Sequence, residues 1–401
     1  MKGLFAFLRR IFLPAAGCVV LALLLRWGVL AGYTVPTASM EPVLRGDPDH
    51  GDKVAVFKLQ YKLFPPKRYD LVVFRREGPF PAAPGLPETG GARFFVKRLV
   101  GLPGETLLIK KGDLFLGPTP REPLRKPLEA IRATRIPVYR WAPGSELRPA
   151  WRGDWWDGRR GFRLEGGRLS AEPGGSGAVT LAYSPERKAI FDDYLDRDGN
   201  LHRGRHPVRD LILELEVAFP EGKGGLSAVL REEGDRFRFL LRARGSGGGG
   251  EVLTTVAGLE RAAIPPGRFA GFLPGEFHRV AFMNVDDRLL VTVDGRPVFE
   301  APYRGNSEIL NPVPVNTPSF GIEGGRAEIR RVALFRDIHY TSDLGRWGVA
   351  RPYTVPEGCY FFLGDNSAES LDSRFFGAVP ARDLVGRPFL VFYPFRRFRF
   401  L

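Results

Sequence analysis

The chain is poor in residues that usually mark metal, redox or disulfide chemistry. Of its 401 residues, two are cysteine, five are histidine and three are methionine. Cys18 lies in an apolar run and Cys359 far downstream, so we expect no disulfide framework. The cysteine count therefore does not indicate whether the protein works in an oxidising or a reducing compartment. No lysine and arginine block interleaves with aromatic residues, so nucleic acid is not an expected partner. The net charge of +14 favours solubility and attraction to anionic lipid instead.

A long apolar run near the N-terminus predicts a transmembrane anchor over residues 11–31, about one bilayer thickness. Lys2, Arg9 and Arg10 precede it and predict a cytoplasmic N-terminus over residues 1–10, with the remainder translocated. A cleaved secretory signal is the alternative. A retained anchor is favoured because no clean Ala-X-Ala site follows the run.

Glycine and proline are abundant, with 49 and 35 residues. This disfavours long helical bundles and is typical of many short strands joined by turns. The sequence therefore predicts a mainly β fold behind the N-terminal helix.

Ser39 follows the apolar run, between two prolines in residues 35–42. A serine becomes a nucleophile only with a base nearby. The alternative is an ordinary hydroxyl in a linker after the membrane segment.

Lys97 lies inside the apolar strand pattern of residues 93–100. Burial lowers the pKa of a lysine, and a neutral amine can serve as a general base. The alternative is an outward-pointing lysine whose stem lies on the sheet.

Four segments, residues 39–42, 51–54, 97–105 and 364–377, together resemble bacterial type I signal peptidase, a Ser/Lys dyad serine protease family. The resemblance covers roughly residues 11–127 and 350–394. It implies an antiparallel β catalytic core, with Ser39 as nucleophile and Lys97 as general base.

The resemblance also implies supporting residues. The residues implied around the dyad are Thr37 beside the oxyanion, Ser370 orienting the lysine, Asp372 and Arg374 as an ion pair, and Asp365 as a supporting carboxylate. The residues implied to line small pockets for alanine-like substrate side chains are Tyr33, Val35, Leu44, Phe95 and Val96.

Two positions depart from the family pattern. Ala38 replaces a more usual glycine or serine before the nucleophile, and Glu369 stands where asparagine is expected. A carboxylate facing Lys97 would raise the pKa of the lysine, so we expect Glu369 to point to solvent.

The middle of the chain, residues 140–345, lies outside the resemblance and shows strand after strand with turn signals between them, which predicts an inserted β-sandwich. Residues 290–298, 320–325 and 330–334 resemble concanavalin-like jelly-roll modules, which implies a glycan or protein ligand, with a spacer role as the alternative. Residues 196–200 suggest a calcium loop but lack its closing glutamate. The predicted catalytic core then comprises residues 32–139 and 346–401.

The expected function is cleavage of signal peptides from exported preproteins, after a small residue, at the extracytoplasmic (periplasmic) face of the cytoplasmic membrane. Preprotein signal peptides and the lipid bilayer are the expected partners, and no cofactor or metal is expected. A membrane-tethered binding protein with a vestigial peptidase shell is one alternative. A self-cleaving Ser/Lys repressor is another, although no DNA-binding module is visible.

Overall fold

The computed structural model describes residues 29–78, 80, 91–119, 121–147, 150–175, 177–187, 189–232, 234–255, 260–304, 316–342 and 345–401. These residues form two compact units. The first comprises residues up to 110, residues 116–120 and residues 340–401, and the second comprises residues 111–115 and 121–339.

Strands dominate both units. The first strands in chain order are β1 (Leu30–Thr34), β2 (Lys53–Phe57), β3 (Leu71–Glu77), β4 (Ala92–Gly101), β5 (Thr106–Lys110) and β6 (Asp113–Leu116). The middle strands are β7 (Ile136–Trp141), β8 (Trp151–Gly153), β9 (Gly161–Glu165), β10 (Arg168–Glu172), β11 (Ala178–Tyr183), β12 (Tyr194–Leu195), β13 (Leu201–His202), β14 (Leu211–Ala218), β15 (Gly225–Glu232), β16 (Asp235–Arg242), β17 (Gly250–Thr254), β18 (Glu260–Ile264), β19 (His278–Asn284), β20 (Arg288–Val293), β21 (Arg296–Pro302), β22 (Ser319–Glu323) and β23 (Ala327–Arg336). The last strands are β24 (Tyr353–Thr354), β25 (Cys359–Leu363), β26 (Val379–Pro380), β27 (Leu384–Tyr393) and β28 (Arg399–Phe400).

The α-helices among the described residues are short: α1 (Gln60–Leu63), α2 (Leu128–Thr134) and α3 (Ser373–Phe376). Helix α3 begins where the Asp372 side chain accepts the Arg374 N–H and caps the first turn. The mainly β fold predicted from the sequence is confirmed.

The first unit is built on an antiparallel sheet in the order β1-β2-β27-β3-β4-β25-β26, with β28 paired to β27. Both faces of β3 are buried, since Leu71 and Val73 join one apolar cluster and Val72 and Phe74 join another. Strand β25 pairs with the β4 segment that follows Lys97, with Leu363 opposite Arg98. The chain after β25 therefore emerges beside the lysine.

The second unit is a two-sheet sandwich. One sheet has the order β21-β20-β19-β14-β23-β10-β9, with β7 added to β23, and the other has the order β18-β17-β16-β15-β22-β11-β8. Inward side chains of both sheets form one buried cluster that includes Leu213 and Val280 from the first sheet and Phe239 and Phe320 from the second. Strands predicted within residues 211–217, 237–241, 278–282, 289–293 and 327–335 are confirmed as β14, β16, β19, β20 and β23.

The units end at different residues from the predicted 140–345 insertion. Residues 121–139 belong to the sandwich unit, because β7 begins at Ile136 and pairs with β23. Residues 340–345 belong to the first unit, in which Thr341 accepts a hydrogen bond from Arg374.

Most of the predicted transmembrane anchor lies outside the described residues. The prediction that it extends to Ala31 is wrong, because Leu30 and Ala31 pair with Phe57 and Val56 in an antiparallel ladder. No helix in the described part of the chain is both long enough and apolar enough to cross a bilayer.

Candidate active site

Ser39 lies in a 3₁₀ turn, Ala38–Met40, that follows β1. The segment is tied to its neighbours because Val35 N–H donates to Asp52 O at 2.9 Å. Gly46 packs against it so closely that a Cβ there would lie 1.7 Å from Thr37 O. A residue with a side chain at position 46 would therefore displace the backbone beside the serine, whose own side chain is buried.

Lys97 is buried in the middle of β4, opposite Val72 of β3, with 3% of the residue exposed. Its Nζ is hydrogen-bonded to Ser39 Oγ. The two candidate catalytic side chains, which are far apart in the sequence, are thus in direct contact.

Burial lowers the pKa of the Lys97 amine from 10.5 to about 8. Asp372 and Asp365 oppose this effect, while Arg374 adds to it. The amine is therefore far easier to deprotonate than an exposed lysine. A neutral amine in contact with a hydroxyl is the arrangement that general-base activation of a serine needs.

Two further hydroxyls lie near the nucleophile. Thr37 Oγ1 is 3.2 Å from Ser39 Oγ. Ser370 is fully buried, and its Oγ has no hydrogen-bond partner among the described residues, so the expected bond to Lys97 is not formed in this structure. A Cβ on Gly364 would lie 2.3 Å from Ser370 Oγ and 2.5 Å from Ser39 O, which places the hydroxyl beside the nucleophile's backbone.

A buried ion pair lies at the N-terminus of α3. Arg374 Nη2 lies 2.9 Å from Asp372 Oδ2, and both residues are at most 1% exposed. Asp372 also accepts the Gly364 N–H at 3.1 Å. The pair therefore fixes the backbone that carries Gly364 and Ser370.

Asp365 forms a second buried ion pair that the sequence did not identify. Its two carboxylate oxygens accept from Arg98 Nε at 2.7 Å and Nη2 at 2.5 Å. Arg98 directly follows Lys97, and only the pairing of β25 with β4 brings it to Asp365. This bidentate pair fixes the loop after β25 next to the strand that carries the lysine.

Four of the five predicted pocket residues come together. Val35 and Leu44 belong to one apolar cluster, with Tyr33 and Val96 packed against it. Phe95 instead packs in the other cluster and stacks on Phe74 with ring centroids 5.6 Å apart. Phe95 therefore lies on the opposite face of the strand from Val96, and a pocket role for either residue stays a prediction.

Glu369 is exposed, as expected from the sequence. Its Oε2 accepts a 3.4 Å hydrogen bond from Asn366 Nδ2, which also lies 3.3 Å from Ala38 O. Asn366 N–H donates to Ser39 O at 3.1 Å. The role of Asn366, like that of Arg98, was not predicted from the sequence. Its only sequence signal is its place in the matching segment of residues 364–377.

In the described part of the chain, two clusters of three side chains place their potential metal-ligand atoms close enough together to hold a cation. Neither cluster includes Ser39 or Lys97. In the first unit, Asp47 lies with Asp49 and His50, but its Oδ1 accepts both of their backbone N–H groups and caps a turn. In the sandwich, the cluster is Asp113, Asp210 and Asp286, and Lys126 Nζ contacts Asp286 Oδ1 at 2.5 Å.

The suggested calcium loop is a hairpin turn. Asp196 Oδ1 accepts the backbone N–H groups of Asp198 and Asn200, each at 2.9 Å, between strands β12 and β13. Its carboxylate is thus used within the turn.

Comparison with known proteins places these residues in a family. Residues 8–136 and 285–393 match the family described as signal peptidase, peptidase S26, and the chain belongs to that family. Signal peptidase I of Leptolyngbya laminosa is 34% identical over 126 residues, which are 31% of this chain and 54% of that protein. Signal peptidase I V of Bacillus subtilis is 30% identical over 123 residues, 30% of this chain and 63% of that protein. The chain thus spans less than two thirds of the length of these relatives.

Solved structures share a general likeness to this chain. The match to the carbohydrate-binding module CBM66 from Bacillus subtilis covers 46% of this chain and 94% of the module, with 10% identity and a TM-score of 0.30. The endo-β-1,3(4)-glucanase SCLam covers 59% and 97%, with 14% identity and a TM-score of 0.33. Scores this low carry no argument about ligands, so a glycan or protein ligand for the sandwich stays a prediction.

Proposed function

We propose that this protein is a membrane-anchored serine endopeptidase that removes N-terminal signal peptides from exported preproteins after a small residue. The observation that carries the proposal is the buried contact between Ser39 Oγ and Lys97 Nζ. Membership of the signal peptidase family supports it.

In the proposed reaction, Ser39 Oγ attacks the scissile carbonyl while Lys97 takes its proton. The lysine then gives this proton to the leaving amine. In the second step Lys97 takes a proton from the attacking water and gives it to Ser39 Oγ as the acyl–oxygen bond breaks, which releases the acid and restores the serine. The Thr37 hydroxyl, 3.2 Å from Ser39 Oγ, is the proposed donor to the oxyanion. Loss of one such donor typically costs about 10²–10³ in rate.

Ser370 is the proposed orienting residue for Lys97. Its buried hydroxyl has no partner within the described residues and lies beside Gly364 and the nucleophile's backbone. A buried hydroxyl without a partner is costly, so a bond to the lysine during the reaction would relieve that cost.

Selectivity for small side chains is proposed to come from the apolar cluster that contains Val35 and Leu44, against which Tyr33 and Val96 pack. A shallow apolar pocket accepts alanine and clashes with larger residues.

The bilayer is the proposed location, with the catalytic unit on its extracytoplasmic face. Support comes from the apolar run in residues 11–25 and from large apolar side chains that the first unit exposes. These include Leu63, Phe64, Phe395, Phe398 and Phe400, with Phe395 80% exposed. Aromatic side chains next to arginines, as at Arg396, suit the membrane interface.

The test is processing of a preprotein by the full-length chain in detergent. Ser39→Ala and Lys97→Ala should each abolish cleavage, while Lys110→Ala, which removes an exposed lysine at the end of β5, should cleave normally. Normal cleavage by either dyad variant would refute the assignment. Ligand binding by the sandwich without any turnover would favour the tethered binding protein.

A further inference from the structure

Glu369 places an exposed negative charge next to the nucleophile turn. It ends the 3₁₀ turn Ser367–Glu369, and its carboxylate accepts from Asn366 Nδ2 at 3.4 Å. That same amide nitrogen lies 3.3 Å from Ala38 O, and Asn366 N–H bonds to Ser39 O. A single amide group therefore separates the carboxylate from the residue before the nucleophile.

No other charge in this segment offsets Glu369. In residues 364–377, all of which are described, the remaining charged side chains are Asp365, Asp372 and Arg374, and each is at most 1% exposed. Asp365 is paired with Arg98, and Asp372 with Arg374. The one exposed charge that this segment presents to a substrate approaching Ser39 is therefore negative.

We propose that Glu369 makes the enzyme prefer substrates with a basic residue near the scissile bond over substrates with an acidic one. This inference rests on the proposed function. A substrate that binds beside Ser39 brings its flanking side chains within about one Debye length, roughly 8 Å at physiological salt, of the carboxylate. Like charges at that range repel and opposite charges attract, chiefly through the rate of productive encounter.

The expected size is that of an exposed charge pair. Exchange of lysine for aspartate at one substrate position converts an attraction into a repulsion, which should lower kcat/KM about threefold to tenfold. The effect should shrink as salt is added, because the pair is open to solvent.

The test uses full-length protein in detergent and peptides that carry an Ala-X-Ala site. Each peptide carries lysine, glutamine or aspartate at one variable position, and the three variable positions are the middle residue of the Ala-X-Ala site and the two residues that follow the scissile bond. The wild type should favour lysine over aspartate at one or more positions. Glu369→Gln should bring that kcat/KM ratio close to one, and Glu369→Lys should invert it.

Glu357→Gln is the matched control, because Glu357 is also exposed and lies beside Gly104 rather than the nucleophile turn. It should keep the wild-type ratio. An unchanged ratio in Glu369→Gln, with turnover intact, would overturn this inference and leave the proposed function standing. If the wild type cleaves none of the peptides, the proposed function fails and this inference fails with it.

Discussion

Among the residues that the structure describes, each unit buries one lysine, and the two lysines have opposite surroundings. Lys97 of the first unit contacts the hydroxyl of Ser39, and the two carboxylates that raise its pKa, Asp372 and Asp365, are each paired with an arginine. Lys126 of the sandwich contacts two carboxylates directly, Asp286 at 2.5 Å and Asp337 at 2.6 Å. Their exposed fractions are nearly equal, 3% and 2%.

The two lysines differ in the partner of the buried amine and not in the extent of its burial. An amine next to a neutral hydroxyl loses solvation without a compensating charge, so its pKa falls. An amine in contact with two carboxylates belongs to an ion network, whose attraction offsets its loss of solvation. In the sandwich it is a carboxylate whose pKa changes. Burial raises the pKa of Asp286, Lys126 lowers it, and the neighbouring Asp337 raises it further.

The largest expected effect is the loss of kcat in Lys97→Arg, which tests whether Lys97 acts as a base or only as a positive charge. Lys97→Arg keeps a positive charge but cannot lose its proton at working pH. We expect kcat for an Ala-X-Ala peptide to fall about 10³-fold or more. Lys110→Arg is the control and should cleave at the wild-type rate. Activity of Lys97→Arg within tenfold of wild type would mean that Lys97 is not the base.

The next prediction compares the two lysines by stability. Lys126→Met leaves Asp286 and Asp337 buried without their cation, which should destabilise the sandwich by about 3–5 kcal/mol. Lys97→Met removes an amine whose direct partner is a hydroxyl and should change stability by about 1 kcal/mol or less. Calorimetry of the full-length chain should show one transition lowered by about 10 °C in Lys126→Met alone.

This comparison has a pH signature. In Lys126→Met the buried carboxylates bind protons more tightly in the folded than in the unfolded state, so the variant should lose stability as pH rises and recover as pH falls. Equal destabilisation by the two substitutions, or a pH trend of the opposite sign, would contradict the account.

The smallest predicted effect is a change in the pKa of Lys97. The charge of Asp365 raises the pKa of this lysine against the larger effect of burial. Asp365→Asn removes that charge and leaves Arg98 positive, so the pH at which activity appears should move downward, by about one unit or less. Asp49→Asn, at an exposed aspartate, should leave the profile in place. An upward shift in Asp365→Asn would show that the electrostatics are assigned with the wrong sign.

The sequence predicted the β fold and most of the residues around Ser39, because short segments with fixed spacing carry them. It did not predict Arg98 with Asp365, nor Lys126 with Asp286 and Asp337, because strand pairing and packing bring these residues together and no local pattern marks them. The resemblance also did not predict that Phe95 and Val96 pack in different apolar clusters, because it gives positions but not the face of the strand on which each side chain lies. The predicted anchor extends too far along the chain because apolar residues such as Leu30 and Ala31 occur in buried strands as well as in membrane helices, and here they pair in a strand.

The most direct test of the central claim, that a neutral Lys97 activates Ser39, is the pH dependence of kcat/KM for the wild type between pH 6 and 10. Only the unprotonated amine accepts the serine's proton, so the rate should rise with pH with a midpoint near the Lys97 pKa of about 8. A rate that is flat or falls across pH 7–9 would contradict the account.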